Sequence, residues 1–123
     1  MAIVKKDSST RRAFRVPVDL RGSVWHRASV RVAVQDLSLT GCLLQCPASL
    51  DAGTIVDVHV ELGKHVLTTK ARVVDASLDG AALPAAMQYL LGLEFLGLAA
   101  RHEADLRRFL DEESRRRGRR ALI

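Results

Sequence analysis

Aromatic side chains are scarce in this 123-residue chain. Phe14, Trp25, Tyr89, Phe95 and Phe109 are the whole complement, 4% of the sequence. Proteins that hold single-stranded nucleic acid stack successive bases on aromatic platforms, so this scarcity weighs against that class. Cysteine is scarcer still. Cys42 and Cys46 cannot supply the framework of a small secreted domain. On one strand, four residues would separate them by roughly 13 Å, beyond disulfide reach. They read instead as small buried apolar side chains. Long hydrophobic runs are missing too. The richest, Leu83 to Leu98, is interrupted by Pro84, Gln88, Gly92 and Glu94 and is too short to span a bilayer. Residues 1–13 lack the apolar core of a signal peptide. These absences predict a soluble cytoplasmic protein with no membrane insertion.

The equipment of catalysis is also absent. There is no Gly-x-Ser-x-Gly elbow to present a nucleophile, and no Gly-x-x-x-x-Gly-Lys loop to cradle a nucleotide triphosphate. His59 and His65 flank a predicted turn, but neither has a Cys or His partner at ligand spacing, so zinc held with Cys42 and Cys46 is not expected. The chain reads as a non-enzyme without metal or cofactor.

What is present is apolar patterning. Apolar residues are 48% of the sequence, enough for a packed core in one domain. Strand-period alternation recurs. Val16, Val18 and Leu20 share a face until Gly22 breaks the run, and Trp25 near the following turn is placed in partial core. Val30, Val32 and Val34 follow, then the turn-like "DLSLTG" (36–41), where Gly tolerates positive φ. "CLLQC" stops at Pro47. Val56, Val58, Val60 and Leu62 form the cleanest strand, and "GK" at 63–64 predicts a hairpin into "HVLTTKARVVDA". A loop of small residues, 77–87, leads to "YLLGLEFL" with Leu91, Leu93 and Phe95 aligned. The period then changes, and Leu106, Phe109 and Leu110 gather on one helical face. Six antiparallel strands and an amphipathic helix predict a mainly β fold, a small barrel with a C-terminal α-helix.

Charge is concentrated at the ends. Residues 1–31 hold eight Lys/Arg against Asp7 and Asp19, and "RRRGRR" (115–120) adds five arginines. The whole chain is net +5, so the body between is acidic. That distribution favours local anion capture over a diffuse grip on a duplex. Two clusters offer the means. Arg11 and Arg15 frame R-x-x-x-R, with Arg12 inside it, and arginine's fork matches phosphate oxygens or the O6/N7 edge of guanine. Asp36, Ser38 and Gly41 frame D-x-S-x-x-G, a carboxylate acceptor, a small hydroxyl and a glycine that admits close backbone approach.

R-x-x-x-R ahead of the first strand and D-x-S-x-x-G between the second and third resemble the two motifs of the PilZ domain, a bacterial family that typically binds cyclic di-GMP. "LGLEFLGL" is similar to the family's last strand. The resemblance covers residues 9–112 and implies a six-stranded antiparallel PilZ-type barrel with its C-terminal helix, between a flexible segment 1–8 and a basic tail 113–123. It also implies a stand-alone cyclic di-GMP receptor. Arg11, Arg12, Arg15, Asp36, Ser38 and Gly41 would form the ligand site, and the arginine segment would order on binding and signal to a partner protein. The alternative it leaves open is an adaptor of the same fold with little or no nucleotide affinity. In this family an arginine directly ahead of R-x-x-x-R favours an intercalated pair of ligands. Thr10 stands there, which implies one ligand per chain.

Overall fold

A computed structural model describes residues 15–80 and 87–122, with the side chains of the closing helix as far as residue 117. The alternating segments form β1 (Val16–Trp25), β2 (Ser29–Leu37), β3 (Gly41–Cys46), β4 (Ile55–Leu62), β5 (His65–Leu78) and β6 (Tyr89–Leu96), followed by α1 (Ala100–Leu122). Every pairing is antiparallel. The order β1-β2-β3-β6-β5-β4 closes on itself through β1 and β4, so the barrel has no free edge to protect.

Most of the predicted inward residues are in the core, with Val18, Leu20 and Val30 only partly buried against it. Val34, Leu44, Val58, Val60, Val73 and Leu91 are fully buried, and α1 adds Leu106 and Leu110 to the same cluster. Phe109 packs against it. Cys42 and Cys46 are both buried free thiols, as small apolar side chains should be. The 63–64 hairpin has positive φ at Gly63 alone, as a type II′ turn requires. No described helix is long and apolar enough to cross a membrane.

Several sequence expectations change here. Gly22 does not end a strand, because β1 runs through it to Trp25. Its role is close packing: a Cβ there would sit 2.6 Å from the His59 carbonyl oxygen. The phase that puts Val24 inside turns Trp25 outward, and the indole is half exposed rather than part of the core. β2 carries on through Asp36 and Leu37, two residues read as turn. The basic stretch read as a tail after residue 112 is continuous with α1, whose backbone stays helical to Leu122. Its Arg-rich end lies where the helix dipole favours cations.

Candidate functional site

Strict alternation along β2 would put Asp36 inside the barrel with Val32 and Val34. A register shift between Val34 and Asp36 in the β2–β3 ladder changes the phase, and Leu37 takes the core position instead. A second irregularity, between Pro17 and Leu20 on β1, lies across from the same place. Bulges of this kind re-aim single side chains. Asp36 is delivered to the outer side of the barrel wall, three-quarters covered. Its Oδ2 is 3.6 Å from Arg15 Nη1. Its Oδ1 is buried and has no hydrogen-bond partner among the described residues.

The turn that follows is held by Ser38. Its buried Oγ accepts from the amides of Thr40 and Gly41, each at 3.2 Å, and lies 3.2 Å from Thr40 Oγ1. The Ser38 amide donates to the Gly41 carbonyl at 2.9 Å. The turn is then fastened to β6, where the Phe95 amide donates to Thr40 O at 2.8 Å. Ser38 thus spends its hydroxyl on the turn. Gly41 is required for close backbone approach, here to β6, rather than for turn freedom. It has no positive φ, but a Cβ there would lie 2.0 Å from the Leu93 carbonyl oxygen. Only glycine lets β3 approach β6 this closely.

Beside the turn lies an open cleft of about 440 Å³, lined by Arg15, Ser38, Thr40, Gly41, Arg72 and Glu94 among others. Arg72 and Glu94 face each other across the β5–β6 ladder at 3.1 Å. Cys42 lies beneath, inside the wall. Burial pushes its thiol up to about 12; the Asp36 charge adds to the rise and Arg15 opposes it. Among the described residues no group of three or more His, Cys, Asp or Glu is placed to hold a metal. The cleft therefore offers a guanidinium, a rigid turn and a second ion pair, and Asp36 adjoins it through its contact with Arg15.

Compared with models of known families, residues 9–112 match the PilZ domain. The chain belongs to the PilZ family. Solved structures agree on the fold. The PilZ domain of YcgR from Escherichia coli, solved with c-di-GMP, aligns at TM-score 0.74 and 20% identity, covering 90% of this chain and 96% of that one. MrkH from K. pneumonia in its c-di-GMP complex aligns at 0.75 and 14% identity, covering 89% of this chain and 55% of that one. The Bacillus subtilis inhibitor of motility MotI/DgrA aligns at 0.72 and 18% identity, covering 87% and 53%. This PilZ chain thus spans about half the length of the latter two. At these identities the likeness is one of architecture. No curated protein matches the sequence.

Of the six residues singled out from the sequence, Arg15, Asp36, Ser38 and Gly41 come together at one corner of this PilZ barrel. Arg11 and Arg12 lie outside the described residues. Sequence reasoning missed Arg72, Glu94 and Thr40. The first two have an ordinary strand pattern, and only the β5–β6 register brings them to the cleft.

Proposed function

We propose that this PilZ domain is a receptor for cyclic di-GMP, and that the ligand lies across Asp36, the 38–41 turn and the adjoining cleft. The observation that supports this best is the state of Asp36, whose covered Oδ1 has no donor among the described residues while Oδ2 faces Arg15. A guanine edge carries N–H donors that a carboxylate accepts, and its O6 and N7 suit the fork of an adjacent arginine. The phosphates call for further cations, which Arg11 and Arg12 would bring from the N-terminal segment. Ordering of that segment around the ligand would then alter the surface presented to a partner protein. The ligand drives the change only through the extra charge-assisted bonds it makes in the ordered state.

Calorimetric titration tests this. Cyclic di-GMP should bind well below millimolar, one per chain, and GMP or GTP much more weakly, because a mononucleotide cannot engage both motifs. Arg15→Ala should cost about 2 kcal/mol or more, roughly thirtyfold in affinity, as expected for a fork lost from a charge-paired contact. No heat and no thermal shift at saturating cyclic di-GMP would overturn the receptor reading and leave an adaptor that works through protein contacts.

A further inference from the structure

One arginine of the basic stretch 115–120 is brought to the corner that holds the candidate site. Arg117, in the closing turns of α1, donates from Nη2 to the carbonyl oxygen of Pro17. Pro17 stands opposite Asp36 in the β1–β2 register and is two residues beyond Arg15. Paired residues on neighbouring strands have Cα atoms about 5 Å apart. The Arg117 guanidinium therefore ends within about one side-chain length of the Arg15–Asp36 pair. The helix also meets the turn on the other flank of Asp36, where Leu39 shares a cleft of about 350 Å³ with Leu110, Asp111 and Ser114. The end of α1 is thus set against the site from two directions.

The neighbours of Arg117 are occupied within the helix. Arg116 is matched by the carboxylate of Glu113, and Arg115 turns back to the Asp111 carbonyl. Arg117 instead crosses to β1, and its hydrogen bond there goes to a neutral carbonyl oxygen. That bond uses one of five guanidinium donors. The guanidinium groups of Arg15 and Arg117 outnumber the Asp36 carboxylate that lies near them, which favours the arrival of an anion.

We propose that Arg117 is a further ligand-binding arginine of this site, contacting a phosphate of the dinucleotide together with Arg15; this rests on the cyclic di-GMP reading above. A phosphate presents two charged acceptors matched to the guanidinium fork, so exchanging the Pro17 carbonyl for it is favourable. The helix end thereby becomes a further wall of the site, beside the 38–41 turn.

The test is titration of the full chain with cyclic di-GMP at low and moderate salt, comparing wild type with Arg117→Ala, Arg117→Lys and Arg108→Ala. Arg108 is an exposed arginine of the same helix, paired with Asp105 at 3.9 Å. Arg117→Ala should weaken binding ~10-fold with an unchanged melting temperature, and Arg117→Lys should restore part of the loss, since it keeps the charge but not the fork. Arg108→Ala should change affinity by less than about twofold, as expected of a surface charge away from the ligand. An Arg117→Ala effect no larger than that of Arg108→Ala would overturn this inference while leaving the receptor reading intact. Absence of binding by the wild-type chain would remove both.

Discussion

A carboxylate oxygen kept from water without a donor costs the free protein stability, by about 1–3 kcal/mol for a typical unsatisfied polar group. Among the described residues Asp36 Oδ1 is such an atom, and the exposed Arg15 opposite Oδ2 offsets little of that cost. Asp36→Ala should therefore not lower the melting temperature of the free domain, and should raise it if it moves at all, while cyclic di-GMP affinity falls at least ~10-fold, the loss of a charged hydrogen-bond acceptor. A stability loss with unchanged affinity would return Asp36 to a purely structural role. Cys42 makes a separate prediction. Its thiol is pushed from 9.0 up to about 12 by burial first and the Asp36 charge second. In the unfolded chain it ionises at the lower value, so the contribution to stability is complete below pH 9 and is lost as pH rises toward 12. The slope for one such group is ~1.4 kcal/mol per pH unit. Denaturant unfolding between pH 8 and pH ~11 should show that decline more steeply in wild type than in Cys42→Ala. Equal slopes would mean the thiol ionises in the folded barrel as freely as outside it.

At the scale of elements, the barrel depends on two places where backbones come unusually close. Gly22 lies against the His59 carbonyl, between β2 and β4, and Gly41 lies against the Leu93 carbonyl, where β3 meets β6. Neither obstacle is a side-chain end that can swing away. Gly41→Ala should destabilise the domain by about 3 kcal/mol, the upper end of overpacking costs, read as a lowered denaturant midpoint. A mild effect would show that β3 and β6 can part without loss. The strands themselves were legible because alternation is local: Val56 to Leu62 and Leu91 to Phe95 needed no knowledge of their partners. The bulge was not. Asp36 and Leu37 look like the start of a turn in sequence, and only the shifted ladder with β3 shows that they end a strand and exchange phase. Gly41 was picked out for turn freedom and for close backbone approach; the second holds, but the approach is to a strand neighbour more than fifty residues away. The Arg72–Glu94 pair was invisible for the same reason, since register between β5 and β6 cannot be read from either strand. The helix was found by its period, but its length was understated, because an Arg-rich, Gly-containing stretch resembles a solvated tail until its backbone is seen to continue.

As a whole molecule, the domain divides into a ring and an attachment. Each strand pairs with two neighbours, so opening any one of them breaks two ladders, and the barrel should unfold only as a unit. The described contacts of α1 onto the ring are fewer: Leu106 and Leu110 in the core, Phe109 at its margin, Asp105 facing His65 of β5 at 3.7 Å, the Leu39 cleft, and Arg117 on Pro17. An element attached by so few buried side chains should open at lower free energy than the structure it rests on. Native-state hydrogen exchange at increasing denaturant should therefore show amides of Leu106 to Leu110 exchanging through a sub-global opening, while those of Val58, Leu44 and Leu91 exchange only with global unfolding. Cyclic di-GMP should then slow exchange in the helix as well as around the 38–41 turn, because Arg117 and Leu39 tie α1 to that corner. At ligand concentrations 100-fold above Kd, the stabilisation available to every amide that exchanges from the unliganded state is ~2.7 kcal/mol. Helix amides that merge with the barrel at all denaturant concentrations would show α1 to be part of the cooperative unit. Helix amides that open sub-globally but ignore the ligand would confine its effect to the ring and the N-terminal segment.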